Sequence, residues 1–295
     1  MTLQSDRAGQ AEHSEPTAPT AFPAPPALPV PPSTQLPAGA HGPAGDAGRI
    51  RAVVRDIDPE AAWAVGGPDG PDGPDGPDGP DRVAERAGTE PPVPVPVPAP
   101  DGVLDVGGLA AVLALWPVIG ILVDAGELSL HTPLTAYGAG GGLPAGTTAH
   151  HLLTHGAGPS PARALVGLAE RLCGSPLAGF AADRVWGPLG MTRTGFAADG
   201  TLHAPVADLA RFLSHLLAPA DEPVSRAWTA ESLRIRTGEL VPARGLLWYP
   251  APHGAWSHGE GPAVWVSPRR QRWAALVPTV PSGPLRTAFR EAAFA

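Results

Sequence analysis

The chain has 295 residues, a net charge of −8 and a hydrophobic content of 43%, enough for one large domain with a sizeable core or for two small ones. No basic footprint is present, which argues against a nucleic-acid partner. The sequence contains no lysine and no asparagine, and all 20 of its basic residues are arginine. Schiff-base chemistry, a P-loop lysine and a lysine general base are therefore excluded, and arginine, protonated below about pH 12, cannot act in their place.

The N-terminal stretch Met1–Gln10 carries Asp6 and Arg7 and no apolar core, so the expectation is a cytoplasmic protein without a signal peptide. Residues 1–47 are rich in Pro, Ala, Ser and Thr without periodicity, and read as a disordered tail. Pro23, Pro25 and Pro26 form no docking pattern within it. One domain is expected over 48–295. Arg49–Arg55 alternates in part and reads as a strand, with Ala61–Val65 as its hairpin partner. Gly-Pro-Asp then repeats five times from Gly67 to Asp81, too short an array for a triple helix and better placed as a loop insertion. A second low-complexity insertion, 91–100, alternates Val and Pro and predicts polyproline II.

Val106–Val123 carries no charge over 18 residues, the length of a marginal membrane span. Gly107, Gly108 and Pro117 interrupt it and aspartates flank it, so a buried core helix is the expectation, with no membrane partner. Helices are predicted at Pro161–Cys173, with Ser160 as N-cap, at Pro176–Trp186 and at Pro205–Leu217. The C-terminal part changes period. Gly245–Tyr249, Ala263–Ser267 and Arg272–Val277 read as strands, and Thr287–Phe294 as a closing helix. Strands from both chain ends around a helical middle make an α+β fold. The one cysteine, Cys173, rules out an intrachain disulfide and reads as a small buried hydrophobe.

Five segments, in order, carry a resemblance: Gly102–Tyr137, His151-Leu-Leu-Thr-His-Gly-Ala-Gly158, Arg184-Val-Trp-Gly-Pro-Leu-Gly-Met-Thr-Arg-Thr194, Ala204–Phe212, and Trp256-Ser-His-Gly-Glu260 with Val264–Pro268. Together they resemble the class C β-lactamase-like serine hydrolases, a family that also holds esterases and D-amino-acid peptidases, over roughly residues 49–295. The resemblance implies a β-lactamase/transpeptidase-like α+β fold with a reduced helical subdomain. It also implies a Ser-x-x-Lys pair on one helix face, the amine beside the hydroxyl whose proton it helps remove. Here those positions fall on Gly108 and Ala111, and no serine lies between Thr89 and Ser129 to rescue the motif. The family's Tyr-x-Asn motif has no counterpart in Gly156–Ala162. The third motif keeps His258 and Gly259 but has Glu260 where the family has glycine, unless Gly261 takes that place by a one-residue slip. A glutamate there is expected to narrow the cleft.

Ser160, Ser257 and His258 are the candidates for a substitute catalytic set; a Ser-His pair needs proximity and an orienting carboxylate. His151 and His155 have helical metal-ligand spacing, but without a nearby acidic ligand they read as structural. The expectation is a non-catalytic family member that binds a small molecule through the vestigial cleft (His258, Gly259, Glu260), with no cofactor and no metal. An esterase with substitute residues and an interaction protein acting through its Pro-rich tail stay open as alternatives.

Overall fold

The computed structural model describes residues 43–68, 70–71, 102–155, 159–218, 220–238, 242–280 and 283–294. Residues 1–42, most of the Gly-Pro-Asp repeat and the whole 91–100 segment lie outside these, and with them the predicted tail and polyproline stretch. The described residues belong to the unit Ala40–Ala295.

The first element is a helix, α1 (Pro43–Ile57), and it corrects two expectations. The tail boundary at residue 47 falls inside the helix, and Arg49–Arg55 is not a strand. Ile50 and Val54, both buried, stand four residues apart. That spacing satisfies a two-residue and a 3.6-residue period alike, so the alternation alone could not separate strand from helix. The strand β1 (Ala62–Gly67) pairs instead with β9 (Arg272–Val277), Trp63 opposite Leu276 and Val65 opposite Ala274. The repeat begins within β1. Gly67 pairs with Gly70 and Gly66 with Pro71, making a two-residue edge strand, β2 (Gly70–Pro71). Proline is tolerated there because an edge strand needs no inward donor.

The main sheet is wholly antiparallel, in the order β2-β1-β9-β8-β7-β6, where β6 is Tyr249–Ala251, β7 Ala255–His258 and β8 Ala263–Ser267. The predicted strands Ala263–Ser267 and Arg272–Val277 form as expected. The predicted strand Gly245–Tyr249 does not. Leu247 has a φ of 64°, outside the extended region, and the Gly245 N–H returns to the Trp248 carbonyl at 2.7 Å. The chain straightens only at Tyr249.

Residues alternate across the sheet. On one face Val65, Trp265, Ala274 and Leu276 pack with α1 and the closing helix α8 (Gly283–Phe294), including Ile50, Leu285 and Phe289. On the other, Val264, Val266, Trp273 and Ala275 join the larger core. Asp58, buried after α1, accepts from the Thr279 amide (2.8 Å), the Thr279 hydroxyl (2.6 Å) and the Val280 amide (3.3 Å), locking the two chain ends together. Burial alone would raise its pKa, but these donors outweigh it and hold the carboxyl below its ordinary range.

The uncharged stretch Val106–Val123 becomes three windings: a 3-10 turn (Gly107–Leu109), a π-turn (Ala111–Leu115) and the helix α2 (Trp116–Asp124). Val112 to Gly120 are all buried, and no helix among the described residues is long and apolar enough to cross a membrane. A second π-turn, Ala182–Trp186, follows the short helix Leu177–Ala181. The Trp186 indole N–H donates to the Leu113 carbonyl at 2.8 Å, tying one π-turn to the other where the helical bonding pattern is interrupted. Around them stand Ala149–His155, Pro159–Cys173, Val206–Leu217 and Arg226–Ser232. A three-stranded sheet joins Leu104–Asp105, Leu202–Ala204 and Gly195–Phe196.

Candidate functional site

Gly108 is exposed in the 3-10 turn, and a Cβ on it would lie 3.9 Å from the Pro262 ring. Pro262 closes the turn Gly259–Pro262 between β7 and β8. The structure thus brings together two segments 150 residues apart in the chain, the Gly108 turn and the His258–Glu260 segment. The turn is tight because Gly259 has a φ of 93°. A Cβ on Gly259 would stand 2.1 Å from the Pro262 carbonyl oxygen and 2.8 Å from Leu109 Cδ2. Close approach and positive φ therefore fall on Gly259, and neither Glu260 nor Gly261 needs to be glycine. Glu260 is exposed in the turn. The Arg286 guanidinium of α8 ties the turn down by donating to the Gly259 carbonyl, and it lies 5.0 Å over the Trp265 ring.

His258 ends β7, half-buried between the Trp248 ring at 6.4 Å and the Tyr249 ring at 6.3 Å. Its Nδ1 is 2.6 Å from the Leu247 carbonyl. A carbonyl only accepts, so Nδ1 carries the proton and Nε2 has the lone pair of the neutral ring. Burial, and then the Arg286 charge, lower its pKa and outweigh the Leu247 bond. A neutral imidazole of this kind has the form of a general base. Among the described residues, however, it makes no other hydrogen bond.

Ser257 and His258 do not form a pair. They are neighbours on one strand and so face opposite sides of the sheet. Ser257 stands opposite Trp265, on the face covered by α1 and α8, while His258 stands opposite Val264 on the larger-core face. Ser257 is only 8% exposed and its hydroxyl donates to the Tyr249 carbonyl at 3.4 Å. Ser160 falls in the first turn of a helix that starts at Pro159, so it is not the N-cap; its side chain lies outside the described residues. Tyr249 and the fully buried Trp248 are the neighbours of His258 that sequence reasoning missed. They reach His258 through the turn at Leu247, a contact with no sequence spacing to mark it.

Solved structures repeat this architecture. The chain matches a β-lactamase from Mycobacterium bovis at a TM-score of 0.61 and 20% identity, over 83% of this chain and 99% of that one. It matches a class C β-lactamase from Rhodobacter sphaeroides at 0.58 and 13% identity, over 84% and 97%. It also matches EstCE1, a hydrolase with promiscuous acyltransferase activity, at 0.62 and 12% identity, over 86% and 99%.

The chain has the β-lactamase/transpeptidase fold.

No protein-family model and no curated protein matches its sequence. The α+β class, with an antiparallel sheet contributed by both chain ends, is the one the sequence led us to expect.

Four histidines cluster at the helix Ala149–His155. His151 and His155 lie on the helix Ala149–His155 with rings 6.3 Å apart, and the His131 ring stacks 4.7 Å from His150. Thr148 and His151 cap the start of that helix, the His151 amide donating to the Thr148 hydroxyl at 3.2 Å. Among the described residues no group of three ligands could hold a metal ion. Cys173 is half-buried, and burial followed by the charges of Glu127 and Glu170 pushes its thiol above the ordinary value, which makes it a poor nucleophile.

This β-lactamase-fold protein is expected to lose stability in acid. Burial depresses the pKa of His215, which outweighs its bond to Val224. His258 is depressed likewise. Burial and then His131, Arg236, His151 and His155 depress His150. The unfolded chain takes up these protons at about pH 6.5 and the folded chain only at lower pH. Stability is therefore complete above about pH 6.5 and falls below it, by at most about 1.4 kcal/mol per pH unit for each proton taken up. Urea midpoints measured between about pH 7.5 and about pH 5 check this; a flat profile would contradict it.

Proposed function

We propose that this protein keeps the serine-hydrolase fold without the chemistry: it forms no acyl-enzyme with β-lactams or esters. The observation that carries the reading is the composition of the junction between the Gly108 turn and the β7–β8 turn. Where a nucleophile and its amine base are expected from the resemblance, the chain presents Gly108 and Ala111. Nucleophilic catalysis needs a hydroxyl or thiol activated by a base within hydrogen-bond reach. The imidazole at this junction, His258, is bonded to a backbone carbonyl, and the adjacent Ser257 points through the sheet to the other side. Cys173 is held in its thiol form.

The test is intact-mass analysis after incubation with a fluorescent penicillin and, separately, a fluorophosphonate. The expected result is no adduct on a protein that still melts cooperatively. A stoichiometric adduct would overturn the proposal, and mapping it to Ser160 would identify a substitute nucleophile.

A further inference from the structure

Beside the Gly108 junction the fold holds a cavity of about 320 Å³, at the small end of the usual range for ligand sites, about 300–1,000 Å³. The π-turn supplies one wall with Ala111 and Leu115, the helix Pro159–Cys173 supplies Val166 and Glu170, and Phe196 closes a side. Four of its lining residues, Ala110, Ala111, Ala162 and Ala178, are alanines, short enough to leave a gap. Among the described residues of the lining, Glu170 is the one ionisable group. Its carboxylate is pinned in place, Oε1 accepting the Leu177 amide at 2.9 Å. Among the described residues no cation pairs with it. Arg171, next in the chain, reaches instead toward Gly138, where an added Cβ would lie 3.3 Å from its guanidinium.

We propose that this cavity binds a small cationic amphiphile: an alkyl or aryl group against Ala111, Leu115, Val166 and Phe196, with a primary ammonium on the Glu170 carboxylate. An apolar body satisfies walls that offer no hydrogen bonds, and one charged donor answers the one charged acceptor. A carboxylate ligand of the same size would meet uncompensated like charge. The proposal adds to the reading above without depending on it, because occupancy of the cavity requires no covalent step.

The test is calorimetric titration of the full chain with hexylamine, hexanol and hexanoate at constant pH and ionic strength. Hexylamine is expected to bind about tenfold more tightly than hexanoate, with hexanol between them. Glu170→Gln, which keeps an acceptor for the Leu177 amide, is expected to bring the amine-to-carboxylate ratio within about twofold. Ala111→Phe, which fills the cavity, is expected to abolish binding of all three. The proposal is overturned if hexylamine does not bind, if hexanoate binds as well or better, or if neither variant changes the affinities. Should a variant fail to fold, the ratio in the parent chain still decides. Adduct formation is read separately by mass, so acylation and cavity binding succeed or fail independently.

Discussion

Trp116→Ala is expected to lower stability by about 3–5 kcal/mol, the range for truncating a fully buried aromatic residue. Trp116 has no exposed surface. Its ring meets Phe212 edge-on at 6.3 Å, Trp248 edge-on at 5.9 Å and Trp228 at 5.9 Å. Its indole N–H donates to the Ser232 hydroxyl at 2.9 Å, and its carbonyl accepts the Trp228 indole at 3.1 Å. The alanine variant opens a void and strips a partner from a buried hydroxyl, and the two penalties add. The neighbours cannot collapse to fill the space. Gly120, one helical turn on, already admits Trp228 so closely that an added Cβ would lie 2.4 Å from its ring. Urea unfolding, with near-ultraviolet circular dichroism reporting the tryptophan cluster, measures the effect. A loss below about 1 kcal/mol would mean that the cluster repacks.

Asp208→Ala is expected to cost about 3 kcal/mol. Asp208 is 1% exposed at the start of the helix Val206–Leu217. Its carboxylate accepts from the Arg193 amide at 3.1 Å, the Thr194 hydroxyl at 2.9 Å and the Arg211 guanidinium at 2.6 Å. It therefore pins the segment after the second π-turn against that helix. Removing it takes the acceptor from a part-buried amide and a hydroxyl together. Asp208→Asn keeps one acceptor oxygen and is expected to lose about half as much. The Arg211 bond weighs least, because that side chain is 51% exposed. Equal losses for the two variants would show that charge, not acceptor geometry, carries the stability.

Sequence reasoning reached the elements whose pattern admits one reading. Ala263–Ser267 and Arg272–Val277 are short apolar runs bounded by proline, glycine or charge, and both are central strands. Val206–Leu217 has a helical stripe and an acidic first turn. Failures occur where a local pattern is degenerate or a distant contact decides. Ile50 and Val54 fit two periods, and only packing against α8 selects the helix. Leu247 carries a backbone angle that no residue type at that position announces. The meeting of Gly108 with the His258–Glu260 segment was legible because ordered motifs implied it. The surroundings of His258 were not, since Trp248 and Tyr249 arrive through an irregular turn. Nor was the cavity at Ala111, whose walls come from four stretches of chain brought together by tertiary packing.

The pairing of β1 with β9 carries a consequence for biosynthesis. Chains emerge from the ribosome N-terminus first, at about 5–20 residues per second. Residues 62–67 are therefore made early, and their partner 272–277 only after some 200 further residues. Throughout that interval β1 has no strand to pair with on its β9 side, and the central sheet cannot close. A high contact order of this kind makes folding slow and largely post-translational, and it leaves a nascent, aggregation-prone edge for chaperones to cover.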